Sequence, residues 1–215
     1  MVRGAGKEIR DGLRSASWVL KPFSVYCTLA GMTRQPPKRA RDGGWNGIVW
    51  DMLNIVLVEP EIPPNTGNVS RLCAGLNARL HLVGKLGFST DDRALKRAGL
   101  DYWEHVQVAY HTNLEALAAL YPEANWIYTS SSAERLHTDW QYQRDDFLVF
   151  GKETQGLPRA LIEANPDRTI RIPHWGPVRS LNLSNAVAVV AYEAMRQLMV
   201  RGEVPPPIPR AEDKH

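Results

Sequence analysis

From Leu53 onwards, short runs of aliphatic and β-branched residues alternate with longer stretches of helical spacing, the pattern of a parallel sheet covered by helices on both faces. The runs place strands near residues 53–58, 80–83, 105–109, 126–130, 147–150 and 169–172. Between them, apolar residues recurring every three or four positions predict helices near 66–77, 91–98, 113–120, 158–164 and 182–200. The last is apolar around most of its circumference, through Ala186, Val187, Val189, Val190, Ala191, Met195, Leu198 and Met199. Such a helix needs cover on several sides, from its own chain, from a second subunit or from both.

The two ends follow a different pattern. Residues 1–51 show no sustained period, collect glycines and carry Pro36-Pro37 ahead of the basic Lys38, Arg39 and Arg41. They read as a flexible extension outside the fold: a targeting peptide, a basic RNA-binding arm, or sequence upstream of the usual start. The last is favoured, because Met52 stands directly before the first strand. Residues 52–200 then make the folded domain, and residues 201–215, with Pro205-Pro206-Pro207 and Pro209, a disordered tail.

Composition narrows the class. A chain of 215 residues, 44% hydrophobic and 23% charged, suits one well-filled domain and excludes disorder throughout. No apolar run reaches the roughly 18 to 20 residues of a membrane-spanning helix, so an integral membrane protein is not expected. Cys27 and Cys73 lie far apart and outside any Cys-x-x-Cys pattern, which argues against a disulfide framework or a thiolate metal site and fits a reducing cytoplasm. The formal charge of +3 is unevenly spread. Residues 1–51 hold nine Lys or Arg against four Asp or Glu, which leaves 17 against 19, a net of −2, for the rest. A nucleic-acid surface on the folded part must therefore be a local patch, built by folding or by pairing subunits.

Common cofactor signatures are missing. No Gly-x-Gly-x-x-Gly follows the first strand; the segment there is Glu59-Pro60-Glu61-Ile62-Pro63-Pro64, whose carboxylates would repel a pyrophosphate. Gly151 and Gly156 have the spacing of a phosphate loop, but Leu157-Pro158 follows where Lys-Ser/Thr is required. The six histidines form no recognisable ligand motif, so no metal is expected. Three polar clusters remain, each where a strand gives way to a helix, the position at which open parallel sheets bind ligands. They are Asn65 to Arg71, Phe150 to Pro158, and Ile172 to Asn185. In the first and third, a bland reading is open: Asn65 as a helix cap with Arg71 in solvent or paired with Glu59 or Glu61, and Ser180 or Asn182 as the cap of the apolar helix.

Taken together, the segments MLNIVLVEPEIPPNTGN, RAGLDY, FGKETQGLP and RSLNLSNAVAVVAYE resemble, in order and spacing, the SPOUT-class RNA ribose 2'-O-methyltransferases. The likeness is strongest to their small wobble-position branch, the tRNA (cytidine/uridine-34-2'-O)-methyltransferases, and runs from Met52 to about Leu198. It implies an α/β domain with a C-terminal deep trefoil knot, S-adenosylmethionine as methyl donor, tRNA as partner and a homodimer. By position it assigns the cofactor to Thr129, Gly151, Gly156, Ile172, Ser180 and Leu181, with the two glycines as points where a Cβ would collide with the cofactor. It assigns the reaction to Arg71, Asn65, Glu153 and Asn182. A ribose 2'-oxygen would displace the sulfonium methyl in line, and Arg71 would accept the proton or, as a guanidinium is a poor base, stabilise the developing alkoxide. Glu153 would orient Arg71 or nearby amides, while Asn182 and Ser180 would shape the pocket. Arg71, Lys85, Arg93, Lys96 and Arg97 would supply a composite basic surface. Two stretches depart from the family pattern, His174-Trp175-Gly176 and Thr129-Ser130-Ser131-Ser132. Action on ribosomal RNA or another tRNA position, or a silent RNA-binding module, are the competing readings.

Overall fold

Seven parallel strands, in the order β3-β2-β1-β6-β4-β7-β5, make the sheet among the described residues of the computed structural model, 52–88 and 106–204. The strands are β1 Asn54–Val58, β2 Arg79–Val83, β3 Val108–His111, β4 Trp126–Thr129, β5 Arg135–Leu136, β6 Phe147–Phe150 and β7 Thr169–Arg171. The helices are α1 Pro63–Leu76, α2 Leu114–Leu120, α3 Arg159–Ala164 and α4 Leu183–Val200. The expected extension at 1–51, the helix at 91–98 and residues 205–215 of the expected tail lie outside the described residues, while residues 201–204, expected to be disordered, pack back on the domain, with Val204 buried in its core and Glu203 N–H donating to the Leu198 carbonyl at 2.9 Å.

Strand alternation sorts side chains into two cores. Ile55, Leu57, Leu80, Leu82, Leu148 and Phe150 face α1 and α4, meeting Val69, Cys73, Val187, Ala191, Ala194 and Leu198. On the other face Val56, Val83, Tyr128, Phe147 and Val149 meet Leu117 of α2 and Leu161 and Ile162 of α3. Helix α4 is thus covered by its own chain along Leu183, Val187, Val190, Ala191, Ala194 and Leu198, while Val189, Tyr192 and Met199 stay exposed. No helix among the described residues is long and apolar enough to cross a membrane.

Three departures from the sequence reading have physical causes. Helix α1 begins at Pro63, not 66, because prolines at its first positions lack the N–H that a helix start leaves unpaired. Strand β3 runs later than expected and ends in His111, whose half-buried imidazole pairs with His81. Strand β5 is two residues long, too short to show any alternation.

That histidine pair has a defined proton arrangement. His81, fully buried on β2, faces Asn54 Oδ1 through Nε2 at 3.1 Å and His111 Nε2 through Nδ1 at 3.0 Å. Asn54 commits its own amide hydrogens to the Asp145 carbonyl, so its oxygen accepts and His81 donates from Nε2. His81 Nδ1 is then the acceptor for His111. Burial, reinforced by His111 and Arg79, holds the His81 pKa down at about 3.

Candidate active site

The three polar clusters meet at the C-terminal ends of β1, β6, β4 and β7. Sheet order explains this: β6 lies between β1 and β4, so a loop emerging after Phe150 reaches both neighbours. The loop is closed by an antiparallel bridge between Lys152 and Gly156, with Gly156 N–H donating to the Lys152 carbonyl at 2.8 Å.

Glu153, at the loop's tip, reaches across to the start of α1. No side chain of α1 caps its own N-terminus. Instead the Glu153 carboxylate accepts from the backbone N–H of Glu61 at 2.8 Å and of Ile62 at 3.2 Å. A carboxylate on the positive end of a helix is stabilising there. The same carboxylate accepts from Asn65 Nδ2 at 2.8 Å. Asn65 Oδ1 in turn accepts from Asn182 Nδ2 at 2.9 Å, and Asn182 Oδ1 accepts from Ser184 N–H and Oγ at 2.9 and 2.7 Å.

Both amide orientations are forced. At one end a backbone N–H can only donate, so Asn182 presents oxygen to Ser184 and its NH2 to Asn65; at the other a carboxylate accepts from the remaining NH2. Asn182 therefore caps α4, as the bland reading held, and also ties it to α1 across 117 residues. Asn65 does not cap α1; it sits in its first turn, 4% exposed. Glu59 and Glu61 pair with the β6 loop: Lys152 Nζ lies 3.0 Å from Glu59, and Thr154 donates to Glu61 from N and Oγ1 at 3.1 Å.

Beside this chain of hydrogen bonds opens a cavity of about 510 Å³. It is lined by Asn65, Glu153 and Asn182, and by Thr129, Gly151, Gly156, Ile172, Ser180 and Leu181, nine of the ten residues singled out from the sequence. Arg71 is the exception. Six residues beyond Asn65 it stands about 9 Å further along α1 and about 120° around it, on an exposed position outside the cavity lining. Thr129 donates its hydroxyl to the Val149 carbonyl at 2.9 Å, which turns its side chain toward the sheet. The glycines also have reasons within the chain itself. A Cβ on Gly151 would overlap the Gly156 carbonyl carbon and Leu157 N, and Gly156 has φ +70°, a left-handed conformation. Both serve the tight loop that carries Glu153. Lys152, His174 and Arg179, which lie within the polar clusters but were given no role, also line the cavity, as does Arg171 one position before the third cluster. Among the described residues no group of three or more His, Cys, Asp or Glu is placed to hold a metal ion.

A parallel α/β domain whose strand ends converge on one polar cavity is a ligand-binding architecture shared by many chemistries. A sequence model described as the SpoU rRNA Methylase family matches residues 52–192. The tRNA (cytidine(34)-2'-O)-methyltransferase of Escherichia coli strain K12 is 50% identical over 155 residues, covering 71% of this chain and 98% of that protein. A solved structure described as "Structural insights into the 2-OH methylation of C/U34 on tRNA" is 47% identical, with TM-score 0.67, covering 70% of this chain and 99% of that one. The SpoU methyltransferase AviRb from Streptomyces viridochromogenes, in complex with the cofactor AdoMet, is 25% identical with TM-score 0.59, covering 71% of this chain and 60% of that one. The chain belongs to the SpoU methylase family, a family of methyltransferases.

Proposed function

We propose that this protein transfers a methyl group from S-adenosylmethionine to the ribose 2'-oxygen of the wobble nucleotide, position 34, of tRNA, with cytidine or modified uridine as target. The observation that carries the reading is the unbroken hydrogen-bond chain Glu153–Asn65–Asn182–Ser184 at the edge of the cavity. It brings together three segments that have no local reason to meet. The relative with half of its residues identical, covered over 98% of its length, supports position 34.

The cavity fits the donor. Its volume lies within the roughly 300–1,000 Å³ of small-molecule sites, and its lining combines the apolar Leu157, Ile170, Ile172 and Leu181 with Ser180 and the backbone of Gly151 and Gly156. When bound, S-adenosylmethionine supplies an electrophilic methyl on a sulfonium. Thr129, Gly151, Gly156, Ile172, Ser180 and Leu181 would hold it and exclude water. Asn65, Glu153 and Asn182 lock the loop, α1 and α4 into one frame, so that the ribose oxygen meets a fixed geometry. We extend the proposal to a C-terminal trefoil knot, which family membership supports.

Arg71 stabilises the developing alkoxide, in the reading proposed, from across a subunit boundary. Support comes from α4, where Val189, Tyr192 and Met199 leave an apolar stripe in solvent, and from the position of Arg71 outside its own cavity. A homodimer that pairs such stripes gives α4 its second cover and brings an arginine to each site. The basic patch is part of this proposal only through Arg71 and Lys85, since Arg93, Lys96 and Arg97 lie outside the described residues. A cytoplasmic location is part of the same proposal, supported by the tRNA substrate. Residues 1–51 and 205–215 stand, on this reading, outside the methyltransferase domain.

The test is incubation with labelled S-adenosylmethionine and total tRNA, followed by mapping of the modified ribose. Label at the 2'-oxygen of nucleotide 34 is expected; label on another nucleotide, or on ribosomal RNA as the family description suggests, moves the target and keeps the chemistry. Arg71→Ala is expected to keep cofactor affinity and abolish transfer. Unchanged turnover would remove Arg71 from the mechanism.

A further inference from the structure

The loop between β7 and α4 holds an indole with almost no contact to its own chain. Trp175 is 92% exposed, the most exposed large hydrophobic residue among those described, and Val178 on the same loop is 52% exposed. Its neighbours are not remote from the chemistry: Ile172 and His174 before it, and Arg179 and Ser180 after it, line the cavity. Pro173 and Pro177 fix two backbone torsions on either side, so the side chain stands on a stiffened rim.

A tryptophan left in water at the mouth of a polar cavity has a flat apolar surface for something outside the protein to cover. The chemistry of that occupant is set by the site. A nucleotide presenting its 2'-hydroxyl to the cavity has a base on the adjoining carbon of the ribose and a phosphate on either side. Bases of single-stranded RNA loops are held chiefly by stacking on aromatic faces and guanidinium planes. Trp175 supplies the first, and Arg179, four residues on at the cavity wall, supplies a cation for the phosphate.

We propose that Trp175 is a substrate-binding residue that stacks on the base of the nucleotide to be methylated, with Arg179 engaging a flanking phosphate. This rests on the RNA-methyltransferase reading above. It adds to it a way to hold an unpaired target base without reading that base's hydrogen-bonding edge, since every base has a stacking face.

The experiment uses the full chain, S-adenosylmethionine and an anticodon stem-loop RNA with either cytidine or an abasic ribose at position 34. Stacking on one base is worth about a 5- to 150-fold change in affinity. Trp175→Ala is expected to raise KM and Kd for the cytidine RNA by a factor in that range, with S-adenosylmethionine affinity unchanged and most of the loss restored by Trp175→Phe. On the abasic RNA the Ala and Trp proteins are expected to bind alike, because the indole has lost its partner. Unchanged RNA affinity in Trp175→Ala overturns the inference while leaving the methyltransferase reading intact. Equal losses on cytidine and abasic RNA overturn it as well, as does a shift in subunit assembly seen by sedimentation, which would make Trp175 an interface residue. If the unaltered protein transfers no methyl group to any RNA, the underlying reading fails and the inference with it.

Discussion

Asn65→Asp changes one NH2 group into an oxygen at constant shape, at the centre of the hydrogen-bond chain. In the native protein that NH2 donates to the Glu153 carboxylate at 2.8 Å. In the variant two carboxyl oxygens face each other at this distance. Losing a hydrogen bond to a charged group costs about 1.5–3 kcal/mol. Repulsion between unit charges about 2.8 Å apart adds roughly 1.5–6 kcal/mol for effective dielectric constants between water and a protein surface. Proton uptake sets a ceiling: forcing a carboxyl with an ordinary value near 4 to be neutral at pH 8 costs about 5 kcal/mol, and the neutral acid can again donate to Glu153. The expected destabilisation at pH 8 is therefore about 3–5 kcal/mol.

The sign follows from linkage. The folded-state pKa of the new carboxyl is raised, so its favourable contribution is fully present below the unfolded pKa and is lost as pH rises through the folded pKa. Denaturant unfolding of the native and Asn65→Asp proteins at pH 8, 6.5 and 5 should show the difference shrinking by up to about 1.4 kcal/mol per unit as pH falls. Fluorescence titration with S-adenosylmethionine should show affinity recovering in parallel. A difference that stays constant with pH, or one below about 1 kcal/mol at pH 8, would refute the assignment of Asn65 as donor to Glu153.

Other consequences are independent of that chain. Gly151→Ala cannot keep the loop, because its methyl group would occupy the space of the Gly156–Leu157 peptide; S-adenosylmethionine binding by calorimetry should be lost while far-ultraviolet circular dichroism shows the sheet retained. His81, whose pKa is depressed to about 3, contributes stability that is present above the ordinary value of 6.5 and is lost as pH falls toward 3. At pH 4.5 the loss is of order 3 kcal/mol. Asp146 works the other way in part of that window: burial raises it to about 6, so its contribution is present below its ordinary 3.8 and is lost as pH rises through 6. Urea midpoints at pH 7 and 4.5 should thus move less in the native protein than His81 alone dictates, and His81→Leu should move less still or reverse; an unaltered pH slope in His81→Leu would count against the buried pair.

Local pattern determined most of the elements. Runs such as Asn54–Val58 and Phe147–Phe150 are long, apolar and bounded by polar turns, so their strand character is written into consecutive residues. The helix of 183–200 was legible by its apolar spread, and its partly open surface followed from the same excess. The motifs marked nine residues that share one cavity, because each stands at a strand's end in a parallel sheet. Their partners were not legible. Which oxygen faces Glu153, and that Asn182 both caps α4 and holds Asn65, depend on β6 lying between β1 and β4, a non-consecutive pairing that no local window contains. A second constraint on Gly151 was hidden for the same reason: it comes from the Gly156–Leu157 backbone folding back on it. Arg71 shows the limit from the other side, since its motif position is clear while it is not among the residues that line the cavity of its own chain. Sequence by itself determined most of the elements, nine residues that line one cavity, and the family. Tertiary structure decided who touches whom, because hydrogen bonds between groups 88 and 117 residues apart are set by sheet order and not by spacing.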